Sequence, residues 1–191
     1  LLLMSNKIVG TLQSYSFSNL ISLVSFDLKF NSIKALQSKA FHKCPTLTML
    51  DLSDQAIREI GEYAFSDMSN LKSIHLNCNF LKRLNKFALA NLPSLQFANF
   101  STNKLEIIDE MAFHDGLDCL YQIDLSNNEL TELKGQAFAR LKNLTILNLK
   151  GNRLRSIDWQ QRHNFLKRLI LENNRLEFVK SNFFRGLSKL E

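Results

Sequence analysis

One eleven-residue pattern, apolar-x-x-apolar-x-apolar-x-x-Asn-x-apolar, recurs seven times in phase along this chain of 191 residues. Self-similarity at a fixed period restricts the fold more than any other property of a sequence. The segments are LVSFDLKFNSI from Leu23, LTMLDLSDQAI from Leu47, LKSIHLNCNFL from Leu71, LQFANFSTNKL from Leu95, LYQIDLSNNEL from Leu120, LTILNLKGNRL from Leu144 and LKRLILENNRL from Leu166. Their starts are 24, 24, 24, 25, 24 and 22 residues apart. Residues 1–22 hold the second half of an earlier unit, in LLLMSNKI, and a further unit begins at residue 190. A unit this short cannot bury its own apolar face. The units must therefore stack, and 1–191 reads as one solenoid domain.

The pattern also assigns each position a task. Apolar residues at positions 4 and 6 alternate with polar ones, which predicts a short strand with one buried face. The amide at position 9 turns inward and can satisfy backbone groups of neighbouring coils as a ladder. Asn31, Asn79, Asn103, Asn128, Asn152 and Asn174 fill that position, and Gln55 replaces it once. Beyond the strand come two apolar residues three apart and an aromatic five later, as in Ile33, Leu36 and Phe41. The excess of Phe, 15 against 3 Tyr and 1 Trp, follows from this slot. Phe41, Phe65, Phe113, Phe138 and Phe184 are expected to stack in a spine, with Leu89 substituting once.

A 24-residue unit ending in AFxxLxxL, as in AFARLKNL at 137–144, resembles the typical leucine-rich repeats of animal extracellular proteins. Toll and Toll-like receptor ectodomains, Slit-type guidance proteins, neuronal adhesion proteins and small proteoglycans are of this kind. The resemblance implies an α/β solenoid: a curved horseshoe segment, with a parallel sheet on the concave face and loops or short 3-10 turns on the convex one. It also implies protein recognition, without a cofactor, on the concave face or an edge. Members of this type usually carry Cys-rich caps. None is present, so a fragment of a longer ectodomain is expected.

Composition agrees with a folded domain, at 45% hydrophobic and 22% charged residues. Only 2 Pro and 6 Gly leave no room for a low-complexity segment. No apolar run approaches the roughly 18 residues that span a bilayer. Charge is uneven: residues 1–133 hold 11 basic and 14 acidic side chains, and residues 134–191 hold 13 and 4. Cys44, Cys78 and Cys119 follow no metal-ligand or CxxC spacing and sit at unlike phases of the repeat, so no disulfide among them is expected. Cys44 occupies an apolar position and reads as a core residue.

The outward positions of the strands are the candidate binding surface. Position 5 reads Asp27, Asp51, His75, Asn99, Asp124, Asn148 and Ile170; position 3 includes Met49, Phe97, Gln122, Ile146 and Arg168. A polar surface with a few apolar anchors suits protein recognition. Asp51 and His75 on adjacent strands, with Ser53 and Ser73, form a tempting hydrolase constellation. An open strand row, however, supplies neither pocket nor oxyanion donors. Asp27 beside Asp51 could hold a cation, but two carboxylates fall short of a calcium site. Lys150, Arg153 and Arg175 form a basic edge for a polyanion, without the aromatic track that single-stranded nucleic acid needs.

Two N-glycosylation sequons occur, NFS at Asn99 and NLT at Asn143. The resemblance implies a non-enzymatic, ligand-binding segment of a cell-surface receptor or of a secreted innate-immunity or adhesion protein. A cytoplasmic repeat scaffold is the alternative. The shortest unit, of 22 residues, carries Trp159, His163 and Phe165. Trp159 and Phe165 are expected to fill its tightened convex turn, and His163 to be exposed.

Overall fold

The computed structural model describes residues 1–114, 116–133, 135–157, 165–179, 184 and 187–191. Each repeat contributes one strand to a seven-stranded parallel sheet, whose spatial order follows the chain: Ser25–Asp27, Met49–Asp51, Ser73–His75, Phe97–Asn99, Gln122–Asp124, Ile146–Asn148 and Arg168–Ile170. Register is set by the repeat length, so Phe97 pairs with Ser73 on one side and Gln122 on the other. Leu2 bridges to Asp27, and the truncated first unit thus sits where an eighth strand would. In five of the strands the middle residue is buried and its neighbours are half-exposed, as alternation requires.

The rest of each coil is extended, and its short strands pair with the same positions one coil on. Val9–Leu12, Ser32–Leu36 and Glu59–Ile60 form one small parallel sheet, Phe17–Ser18, Phe41–His42 and Phe65–Ser66 a second. Arg83–Leu84 and Ile107–Ile108 form a third. The only helical turn among the described residues is the 3-10 turn Gly135–Phe138.

The core is one continuous column, because each repeat inserts the same apolar positions between its neighbours. Leu71, Ile74, Leu76, Leu81 and Leu84 of a single repeat are all fully buried. The aromatic spine forms as the spacing predicts over most of its length. Phe17, which precedes the repeats counted above, stacks on Phe41 at 5.3 Å between ring centroids; Phe41 stacks on Phe65 at 5.7 Å and Phe113 on Phe138 at 5.5 Å. Leu89 keeps the column continuous through a bridge to Phe113. Phe184 is 60% exposed, unlike the buried members of the spine. Phe165 is likewise 55% exposed and does not fill the convex turn: it immediately precedes the inward-facing Leu166, and alternation turns it out. Trp159 and His163 lie outside the described residues.

The polar ladder lies inside this column. Asn103 donates through Nδ2 to the carbonyls of Leu76, one coil back, and of Phe100, both at 3.0 Å. Its Oδ1 accepts from the Leu81 N–H, also at 3.0 Å. Asn79, Asn128, Asn152 and Asn174 repeat the same three bonds in their own coils. Gln55 performs the task with one more methylene, donating to Leu28 O and accepting from Ile33 N–H.

Just before the ladder residue, the backbone turns left-handed in every repeat. Position 8 holds Phe30, Asp54, Cys78, Thr102, Asn127, Gly151 and Asn173, at φ between 53° and 69°. Only Gly and, to a lesser degree, Asn and Asp adopt this conformation cheaply. A Cβ on Gly151 would also stand 2.5 Å from Asn127 Oδ1.

Candidate recognition surface

The seven strands present two outward rows about 4.8 Å apart from strand to strand. One row runs Ser25, Met49, Ser73, Phe97, Gln122, Ile146, Arg168; the other runs Asp27, Asp51, His75, Asn99, Asp124, Asn148, Ile170. All the concave residues singled out from the sequence therefore share one sheet face.

The second row also has a structural task that the sequence reading missed. Its carbonyl or carboxylate oxygen accepts the N–H two residues on, which closes the end of the strand. The bonds run from Lys29 to Asp27 at 3.0 Å, Ser53 to Asp51 at 3.0 Å, Ser101 to Asn99 at 3.0 Å, Ser126 to Asp124 at 2.8 Å and Lys150 to Asn148 at 3.1 Å. In three coils a serine hydroxyl donates to the same oxygen, at 2.6 Å to Asp51, 2.7 Å to Asn99 and 2.6 Å to Asp124. The signal was present in the chain as Asp-Leu-Ser, Asn-Phe-Ser and Asp-Leu-Ser at one phase of the repeat.

This geometry decides the Ser/His/Asp constellation. Ser53 Oγ donates directly to Asp51, with no imidazole between hydroxyl and carboxylate. His75 instead meets the Phe97 ring edge-on, with centroids 5.5 Å apart. The Asp27–Asp51 pair is filled by the chain itself. Lys29 Nζ stands 3.6 Å from a carboxylate oxygen of each, and the two charges, Asp51 before Asp27, hold its ammonium above the ordinary lysine range. Asp27 is also more enclosed than an outward residue should be, at 8% exposure, because Leu2 pairs beside it. Among the described residues no group of three or more His, Cys, Asp or Glu could hold a metal ion.

What remains free to meet a partner is the middle of the sheet. His75 and Phe97 form its centre, with Met49 and Ser73 on one side and Gln122 and Ile146 on the other, all half-exposed. Toward the C-terminal strands, Asn148 Nδ2 donates to Asp124 Oδ2 at 3.2 Å, and Arg168 is exposed.

The basic edge is partly neutralised within the fold. Lys150 Nζ reaches Glu172 at 2.6 Å, and that bond holds the Glu172 carboxyl below its usual range. Arg153 reaches Glu129 at 2.9 Å. Arg153, Arg175 and Glu129 all occupy position 10, so the column that aligns the arginines also brings the carboxylate. Arg175 is exposed. Asn143 is exposed and donates to Asp118 O at 2.6 Å, whereas Asn99 is half-buried within its strand. Cys44 is fully buried, which raises its thiol pKa, and Cys44, Cys78 and Cys119 are all free thiols. No helix among the described residues is long and apolar enough to cross a membrane.

Comparison with known proteins follows the same lines. A family model described as a BspA type leucine rich repeat region matches residues 3–118 in six copies, and a leucine rich repeat model matches residues 118–166. No curated protein matches the sequence. Among solved structures, the crystal structure of the TLR13–ssRNA13 complex aligns at a TM-score of 0.82 and 29% identity, over 88% of this chain and 24% of that one. The Toll–Spatzle complex, from Drosophila, aligns at a TM-score of 0.72 and 25% identity, over 98% of this chain and 28% of that one. The chain therefore spans about a quarter of either protein's length.

Proposed function

The chain belongs to the leucine-rich repeat family, and from that premise we propose that it is the non-enzymatic, ligand-binding part of a cell-surface or secreted recognition protein. One observation carries the reading: a rigid seven-stranded sheet whose outward face places the half-exposed His75, Phe97, Met49 and Ile146 among short polar side chains. Anchors of this kind within a polar surround are how protein interfaces concentrate their binding energy. Binding would proceed by complementarity to a preformed surface, since the strand-end bonds hold the Asp51, Asn99, Asp124 and Asn148 side chains around the anchors before a partner arrives.

The likeness to TLR13 and Toll supports an innate-immune setting and an extracellular location. The ssRNA13 complex of the former supports a polyanion as a second kind of ligand for the basic C-terminal half, where Arg168 and Arg175 are exposed. Lys150 and Arg153 would contribute less, being engaged by Glu172 and Glu129. The three free thiols favour the cytoplasmic scaffold as a second reading.

Secretion from animal cells followed by peptide mapping separates the two locations: sugar on Asn143 or Asn99 supports the first, and retention of unmodified protein inside the cell supports the second. For the binding face, Phe97→Asp and Ile146→Asp should each abolish capture of a protein ligand, while Glu62→Lys on the convex side should leave it intact. A ligand indifferent to both concave substitutions would sink the proposal.

A further inference from the structure

The net charge of residues 1–133 is slightly negative, yet three exposed cations outside the described ion pairs gather on one edge there. Arg58, Lys82 and Lys104 line, together with Phe80, a hollow of about 460 Å³. Phe80 is 45% exposed, and the three cations are exposed as well. None of the described ion pairs includes Arg58, Lys82 or Lys104. Glu106 follows Lys82 in the same row, its N–H bonded to Lys82 O at 2.9 Å, but forms no ion pair with it. By contrast, two of the three cations of the sequence-predicted edge carry a carboxylate.

The repeat builds this arrangement. Arg58 and Lys82 hold position 12 of successive coils, and Arg58 N–H donates to the carbonyl of Lys34, the exposed cation of the coil before, at 2.9 Å. Phe80 and Lys104 hold position 10 of successive coils. Phe80 N–H donates to Ile57 O at 2.8 Å and Lys104 N–H to Leu81 O at 3.0 Å, so the backbones beneath the side chains are fixed. Phe80 and Lys104 also line an adjoining hollow of about 340 Å³ that borders Cys78 and Thr102.

The geometry points to a docking site on this edge for an acidic protein segment that carries one apolar anchor residue. The inference deepens the recognition reading above and rests on it. Unpaired cations select an anionic partner by charge complementarity. The ring selects further, because a lone exposed aromatic within a charged rim matches a protein interface, where one apolar side chain is buried and charged ones surround it. A nucleic-acid strand would be met by successive aromatics, and this edge has one. A sulfated glycan would use the cations and leave the ring without a task.

The test measures fluorescence anisotropy of the full 191-residue chain with four probes: a twelve-residue Glu/Asp peptide containing a central Trp, the same peptide with Ala in its place, a heparin hexasaccharide and a twelve-nucleotide oligouridylate. The Trp peptide is expected to bind best. The double variant Arg58→Glu/Lys82→Glu should weaken it about tenfold or more, and Lys104→Gln, a milder change, about threefold. Phe80→Ser should erase the preference for Trp over Ala while leaving the thermal transition in place. Lys142→Glu, exposed and outside this edge, should leave peptide binding unaltered. Heparin or oligouridylate binding more tightly than the peptide through the same residues overturns the proposal in favour of those polyanions. Absence of micromolar peptide binding overturns it too. Peptide binding that ignores the edge but falls with Phe97→Asp overturns the edge and leaves concave-face recognition standing.

Discussion

Lys29 Nζ lies 3.6 Å from Asp51 Oδ2, one strand away, and the same distance from its own coil's Asp27. A single ammonium thus closes a gap that would otherwise set two carboxylates side by side. Its pKa is raised by both, Asp51 contributing more. Stability from a raised lysine is fully present below the unfolded value and is lost as pH rises through the folded one. In a side-chain NMR titration, Lys29 should deprotonate above the ordinary lysine value of 10.5. Asp51→Asn should bring it back further than Asp27→Asn; the reverse order would show that the carboxylate geometry is wrong.

Asn103→Ala should be costly. It leaves Leu81 N–H without its acceptor and takes one of two amide donors from each of Leu76 O and Phe100 O, in a position only 8% exposed. Chemical denaturation should report a loss of about 3 kcal/mol. Asn103→Gln should lose about 1 kcal/mol, because Gln55 already shows that the longer amide reaches both groups of the coil before it.

The left-handed position offers a gain. Thr102 holds φ of 55° with a β-branched side chain, and its N–H still donates to Ser126 O at 2.9 Å. Thr102→Asn keeps that donor and suits the backbone better, so it should stabilise the fold by about 0.5–1 kcal/mol. An unchanged or lowered melting temperature would count against strain at this position.

In the aromatic spine, Phe65 is 1% exposed and stacked on Phe41. Phe65→Ala should cost about 3–5 kcal/mol. Phe65→Leu should cost about 1–2 kcal/mol, since Leu89 fills the equivalent slot one coil on. Equal losses from both would mean that the ring is not what the column needs.

The C-terminal edge can be unmasked. Glu129→Gln with Glu172→Gln frees Arg153 and Lys150 from their partners at 2.9 and 2.6 Å. On a heparin column the double variant should elute at higher salt than the parent protein. Elution at the same salt would show that those carboxylates do not limit anion binding.

Much of this architecture was legible because the repeat assigns each position one environment seven times over. The buried leucines, the strand row, the amide ladder with Gln55 as a valid member and most of the phenylalanine column all follow from phase alone. The exposure of Phe184 did not, because phase does not say how deeply a particular coil is covered, and Phe165 is turned out by its place before the inward-facing Leu166. The left-handed position escaped notice because Phe30, Asp54, Cys78 and Thr102 share no residue type. Asn127, Gly151 and Asn173 were the clue. Side-chain pairings were harder still. Glu129 beside Arg153 could be read down one column, but Lys29 between two aspartates depends on how its long chain lies. The cations around Phe80 come from three repeats and two positions, and any count along the chain dilutes them among acidic neighbours.

The ladder has one more consequence. Each amide fastens its coil to the one before it and to no other, so among the described residues no long-range latch must break first. Pulled from its two ends, such a chain would peel like tape, one turn at a time. Each turn would release about 80 Å of contour length, and the turns left behind would keep their shape.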